Sequence, residues 1–149
     1  MNTEARPPFF RWVIFCLVLD NLGDLGVCWR LATHLAQQGQ QVRLWIDQPQ
    51  ALNWMAPHGA AGVEVRSWTR PIDMTSISPG EVLVEAFGCE IAPEFIAAYA
   101  DSVRRNKQSC HWINLEYLTA EPYAENCRFH PAHRWLAARG RPFRTAAPI

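Results

Sequence analysis

Short apolar runs alternate with stretches of helical spacing along this chain. Residues 12–19 (WVIFCLVL) are continuously apolar, as a strand buried on both faces would be. After the turn Asp20-Asn21-Leu22-Gly23-Asp24-Leu25-Gly26, the pairs Leu31/Leu35 and Ala32/Ala36 predict a helix from about Val27 to Gln38, closed by Gly39. Gln41–Ile46 reads as a second strand with Asp47 at its end, and Pro49–Met55 as a short helix. Val63–Trp68 alternates with period two, which predicts a strand exposed on one face. Residues 70–80 hold Pro71, Pro79 and Gly80 and read as loop. Val82–Phe87 reads as a central strand broken by Gly88, Pro93 to about Arg105 as a helix opened by its proline, and Ser109–Leu115 as a further strand.

Strands alternating with helices imply an α/β fold with a Rossmann-like parallel sheet. The loops at the carboxyl ends of the strands then share one edge: Asp20–Gly26, Asp47–Pro49, Phe87–Glu90 and Glu116–Glu121. A ligand is expected along that edge.

Composition narrows the picture. The 149 residues are 49% apolar and carry no net charge, enough for one domain with a proper core. The charge is unevenly spread. All fourteen acids lie at or before Glu125, and five of the fourteen basic residues follow Cys127, leaving −5 in the body and +5 in the tail. Such a body is a poor nucleic-acid binder. The tail, residues 128–149, departs from the alternation of strand and helix and is expected to be irregular. It is either a flexible basic tail or sequence out of the native reading frame after Cys127, and composition favours the second. The domain proper is therefore placed at residues 1–127. Five cysteines without a C-x-x-C pair fit free thiols in a reducing cytoplasm better than a zinc site. The run Phe9–Leu19 is too short to span a bilayer and has no cleavage site of a signal peptide, so neither a membrane partner nor export is expected.

The candidate chemistry sits in the first turn. Two carboxylates, Asp20 and Asp24, lie four residues apart at a strand end, where a loop built only for phosphate would avoid them. Asp24 by itself reads as a cap or near-cap of the helix. Asp20 and Asn21 need another reason, and Gly23 and Gly26 allow unusual backbone conformations or close approach. The turn suits a cation or proton chemistry. Glu116 and Tyr117, after the last strand, are either a solvated edge or part of the same site. Glu85 interrupts a buried strand and needs a partner or the strand's open end. His130 and His133 have ligand spacing but lie in a proline-broken tail, and no metal is expected.

These residues carry a resemblance. Residues 15–31, with the string Asp20-Asn21-Leu22-Gly23-Asp24-Leu25-Gly26-Val27-Cys28-Trp29-Arg30-Leu31, resemble the N-terminal signature of the EarP family of protein-arginine rhamnosyltransferases. Val42–Asp47, Val65–Trp68, Glu85–Cys89 and Trp112–Glu121 match in order, so that the resemblance covers about Phe9 to Cys127. It implies an inverting GT-B glycosyltransferase of two Rossmann-like domains. Such an enzyme moves rhamnose from the donor dTDP-β-L-rhamnose to an arginine of elongation factor P, without cofactor or metal. It implies that the N-terminal half grips the acceptor, and that Asp24 is similar to the general base and Asp20 to its partner; Asn21, Gly23, Gly26, Glu116 and Tyr117 are the candidate substrate-binding residues beside them. The family's second domain has no counterpart here, so weak acceptor binding without efficient transfer is expected. A non-catalytic module binding elongation factor P, and a small flavodoxin-like nucleotide binder, are the rival readings.

Overall fold

The computed structural model describes residues 9–18, 22–68, 72, 80–107 and 110–116. Five strands form one parallel sheet: β1 (Arg11–Cys16), β2 (Gln41–Ile46), β3 (Val63–Ser67), β4 (Val82–Ala86) and β5 (His111–Leu115). The sheet order is β3-β2-β1-β4-β5, so β1 is central. In register, Phe15 lies between Trp45 of β2 and Glu85 of β4. The helices are α1 (Gly23–Gln37), α2 (Leu52–Met55, after a 3-10 turn at Pro49–Ala51) and α3 (Pro93–Asn106). This is the α/β, Rossmann-like parallel sheet that the apolar runs predict.

Both faces of the sheet are covered, which is why β1 and β4 read as unbroken apolar runs. On one face Ile14, Cys16, Leu44, Ile46, Val84 and Ala86 pack with Leu25, Cys28, Ala32 and Leu35 of α1 and Leu52 of α2. On the other, Val13, Phe15, Trp45, Leu83 and Trp112 pack with Phe95 and Tyr99 of α3 and with Trp68 and Ile72. Phe15 centres this second layer. It stacks on Trp45 at 5.7 Å and meets Trp68 at 5.1 Å and Phe95 at 4.7 Å edge-on. Such aromatic pairs add to area burial by about 1 kcal/mol each.

One boundary differs from the sequence pattern in a way that matters. The helix predicted to start near Val27 starts at Gly23, and it takes in Asp24, Leu25 and Gly26. Leu25, Cys28, Ala32 and Leu35 are all buried, so the apolar stripe runs one turn further back than the glycines suggest. Packing of that stripe overrides the poor helix propensity of glycine. At the other end the helix closes as predicted. Gly39 takes φ +83°, its N–H bonds Ala36 O at 2.9 Å, and Gln40 N–H bonds Leu35 O at 3.1 Å. This is a Schellman closure, and the positive φ is why glycine stands there.

The amino edge of the sheet is fastened by charge. Arg11 of β1 and Glu81, just before β4, share hydrogen bonds at 2.6 Å (Nη2 to Oε1) and 3.1 Å (Nε to Oε1), and Arg11 N–H donates to Glu81 Oε2 at 2.8 Å. These bonds hold the Glu81 carboxyl below the usual carboxylate range, with burial opposing them. Next to it, Gly80 leaves no room for a side chain. A Cβ there would overlap the carbonyl oxygen of Arg11 and lie 3.0 Å from Val13 Cγ2.

Two outcomes follow from this edge. Gly80→Ala forces β1 and β4 apart at a backbone contact and is expected to cost about 2 kcal/mol in urea melts. Because the folded-state pKa of Glu81 is depressed, its ion pair stabilises at neutral pH. That gain fades as pH falls from the ordinary carboxylate value, about 4.3, through the depressed one. The Arg11 side chain is 37% exposed, so screening limits the pair to about 1 kcal/mol. Glu81→Gln is expected to lose that amount at pH 7 and to leave stability less acid-sensitive below about pH 4, measured by denaturant midpoints across pH 3 to 7.

Candidate functional site

The strand order reverses between β1 and β4. The helices that follow β1 and β2 lie on one face and α3, which follows β4, on the other. Such a reversal is where open α/β sheets bind ligands, outside the carboxyl ends of β1 and β4, whereas the cavity found among the described residues, about 490 Å³, lies at the amino edge between Arg11, Gln41, Arg43, Glu64 and Gly80.

On the β1 side the backbone of Val18 is clamped. Its N–H donates to Asp47 Oδ1 at 2.8 Å, and its carbonyl accepts from Gln48 Nε2 at 2.9 Å. Asp47 and Gln48 follow β2 directly, so the end of one strand holds the exit of its neighbour. Sequence reasoning noted Asp47 only as a strand end. A partner 29 residues away leaves no local signal.

Leu22 caps α1 with its backbone alone, and Gly23 and Asp24 are the first two residues of the helix. Asp24 is thus a first-turn acid and not the cap residue. The helix dipole favours a carboxylate there. Asp24 is half-buried, Gly23 is exposed and Gly26 half-buried. Gly26 N–H makes a 2.9 Å bond to Leu22 O, which opens the helical ladder. Side chains three or four apart share a helix face, so Val27 lies beside both Gly23 and Asp24. Val27 is 48% exposed, one of three large apolar residues left so open among the described residues.

On the β4 side the chain turns through unusual backbone. Phe87 (φ +52°), Gly88 (φ +64°) and Glu90 (φ +49°) all lie in the left-handed region. Two of these are not glycine, and for a bulky Phe such a φ is strained. The turn is held by Phe87 N–H to Leu115 O at 2.7 Å and by Cys89 N–H to Ala86 O at 3.2 Å. Strain of this kind concentrates at functional edges, and nothing in the residue pattern foretold it.

Beneath both loops lie three buried thiols, Cys16, Cys28 and Cys89. The Cys28 thiol is pushed up by its hydrogen bond with Cys16 and by burial. That of Cys89 is pushed up to about 12 by burial and by the nearby Glu85 carboxylate. All three thiols are buried, and Cys28 and Cys89 stay protonated, so neither can serve as a thiolate nucleophile. Cys89 Sγ donates instead to Phe15 O at 3.4 Å. Glu85 is 4% exposed, in register with Phe15 and Asn114 near the strand end, as an acid interrupting an apolar strand suggested. Among the described residues, no three His, Cys, Asp or Glu side chains converge as metal ligands.

The candidate residues therefore divide. Gly23, Asp24 and Gly26 come together on the first turn of α1, over the end of β1. Glu116 is exposed just beyond β5, on the same edge but with β4 standing between β5 and β1. At about 4.8 Å per strand, that puts it roughly 10 Å along the edge from the first turn. Asp20, Asn21 and Tyr117 lie outside the described residues.

Comparison with known proteins bears on the same region. Residues 12–142 match the family model described as elongation factor P (EF-P) rhamnosyltransferase EarP. A protein-arginine rhamnosyltransferase of Pseudomonas aeruginosa is 44% identical over 130 residues, covering 81% of this chain and 33% of the relative. One from Pseudomonas putida is 42% identical over 130 residues, with the same coverage. One from Shewanella oneidensis is 36% identical over 142 residues, 89% of this chain and 35% of the relative. The chain spans about a third of the length of the relatives it matches. With residues 12–142 under the family model and the first turn of α1 within that match, this chain belongs to the EarP family.

Proposed function

We propose that this chain is the acceptor-holding, N-terminal part of an inverting GT-B glycosyltransferase. The reaction moves rhamnose from dTDP-β-L-rhamnose to one arginine of elongation factor P in the cytoplasm, with a second Rossmann-like domain supplying the donor site. The observation that carries this reading is the family match running through the first turn of α1, in which Asp24 stands after the carboxyl end of β1.

The acceptor explains the carboxylates. An arginine side chain stays charged, and its nitrogen lone pairs are delocalised. A carboxylate at Asp24 accepts hydrogen bonds from the guanidinium and turns one nitrogen toward the anomeric carbon. As the new C–N bond forms and the nucleoside diphosphate leaves, the carboxylate takes the nitrogen's proton. Asp20 is assigned as the second carboxylate holding the cation. Asn21, Gly23, Gly26, Glu116 and Tyr117 are assigned to substrate contact. No metal or cofactor has a part in these steps.

The nucleotide-binder reading fares worse on the same geometry. In a nucleotide site the first turn after β1 cradles phosphate, and here that turn carries Asp24. Among the described residues no helix is long and apolar enough to cross a membrane.

In an enzyme that carries both halves, Asp24→Asn is expected to cut rhamnosyl transfer roughly a hundredfold or more while acceptor binding changes by no more than about threefold. Single-turnover transfer and calorimetric binding, measured separately, check this, and undiminished transfer removes Asp24 from the base role. The 149-residue chain alone is expected to bind elongation factor P weakly and not to glycosylate it. Turnover by the purified chain with dTDP-β-L-rhamnose would overturn that division of labour.

A further inference from the structure

The chain between β1 and α1 carries Asp20, and Asp24 follows in the first turn of α1. The strand ladder does not reach that far. β1 pairs with β2 as far as Cys16 and Ile46, and with β4 as far as Phe15 and Glu85. Val18 lies two residues past the end of β1, yet it is only 6% exposed. A buried peptide unit requires a partner for its N–H and for its carbonyl. Here both partners are side chains. Asp47 Oδ1 accepts the Val18 N–H at 2.8 Å, and Gln48 Nε2 donates to the Val18 carbonyl at 2.9 Å. The two residues directly after β2 thus take over where the ladder stops. Two bonds on one residue set its orientation as well as its place. The start of α1 has no comparable hold, since Leu22 makes no side-chain cap hydrogen bond.

Asp20 follows Val18 by two residues, at most about 7 Å of chain. Attack by a guanidinium nitrogen tolerates little error in where its carboxylates stand, and a shift of about 1 Å can cost roughly a hundredfold. We infer that Asp47 and Gln48 are positioning residues for the transfer reaction. They fix the backbone of Val18, and through it the point from which the acid-bearing turn sets out. The inference rests on the arginine-acceptor reading above. It goes further in naming two residues of the β2 loop that act on the reaction through another residue's backbone. Asp47 is half-buried and Gln48 exposed, so loss of the Asp47 bond, which strands a buried N–H, is the more damaging of the two.

The test uses an enzyme that carries both halves, with purified elongation factor P and dTDP-β-L-rhamnose. Asp47→Ala is expected to lower kcat about tenfold or more while KM for the donor stays within about twofold. Asp47→Asn keeps an oxygen for the Val18 N–H and is expected to bring kcat back to within about threefold of the unaltered enzyme. Gln48→Ala is expected to lower kcat about threefold with an unchanged melting temperature, and it decides the matter if Asp47→Ala does not fold. A merely structural role gives the opposite split: Asp47→Ala melts lower but turns over at the normal kcat while folded. That result, or a normal kcat for Gln48→Ala, overturns the inference. An Asp47→Asn enzyme as slow as Asp47→Ala overturns it too, because charge and not the hydrogen bond then matters. Asp24→Asn in the same enzyme keeps the two readings apart. If it slows transfer and the Asp47 and Gln48 variants do not, this inference alone fails. If it leaves transfer undiminished, the acceptor reading fails and takes the inference with it.

Discussion

Parallel pairing of β1 on both of its edges, with both of its faces buried, is the constraint from which the rest of this structure descends. Val13, Ile14, Phe15 and Cys16 are each at most 2% exposed. A strand so enclosed has a single way out, through its carboxyl end. There its backbone meets Asp47 and Gln48 from the next strand. The exit is therefore fixed in position by hydrogen bonds before any ligand arrives.

The same constraint separates the two edges of the sheet by job. At the amino edge, Arg11, Glu81 and Gly80 close strand upon strand with ion pairing and steric contact. At the carboxyl edge the backbone is strained at Phe87 and Glu90, a Cβ at Gly26 would meet no atom of the described residues within 4 Å, and Val27 is half exposed. Each of those choices costs stability locally. A fold keeps such costs where something other than folding is served.

Much of this was legible in the sequence because it is written in local pattern. The runs at residues 12–19 and 82–87 announce buried strands, and Pro93 and Gly39 punctuate α3 and α1 where expected. What escaped is non-local. Gly23 and Gly26 read as turn because glycine disfavours helix, and only the packing of Leu25 against the sheet draws that segment into α1. Asp47 gave no hint of its clamp, since the group it holds lies on another strand. The left-handed turn after β4 carries a Phe and a Glu, residues that no pattern assigns to such a backbone. Of the two acids proposed for the chemistry, Asp24 lies on the expected edge, near the cap in the first turn of α1.

The three sulfur atoms under the carboxyl edge have a practical meaning. Cys16, Cys28 and Cys89 are sealed, and Cys28 and Cys89 are kept in the thiol form, so an alkylating reagent meets nothing to react with there while the native packing lasts. Their labelling is thus gated by excursions that lift the loops off the sheet. A mass-spectrometric alkylation time course then becomes an intrinsic gauge of how often that edge breathes, and of whether a bound partner quiets it.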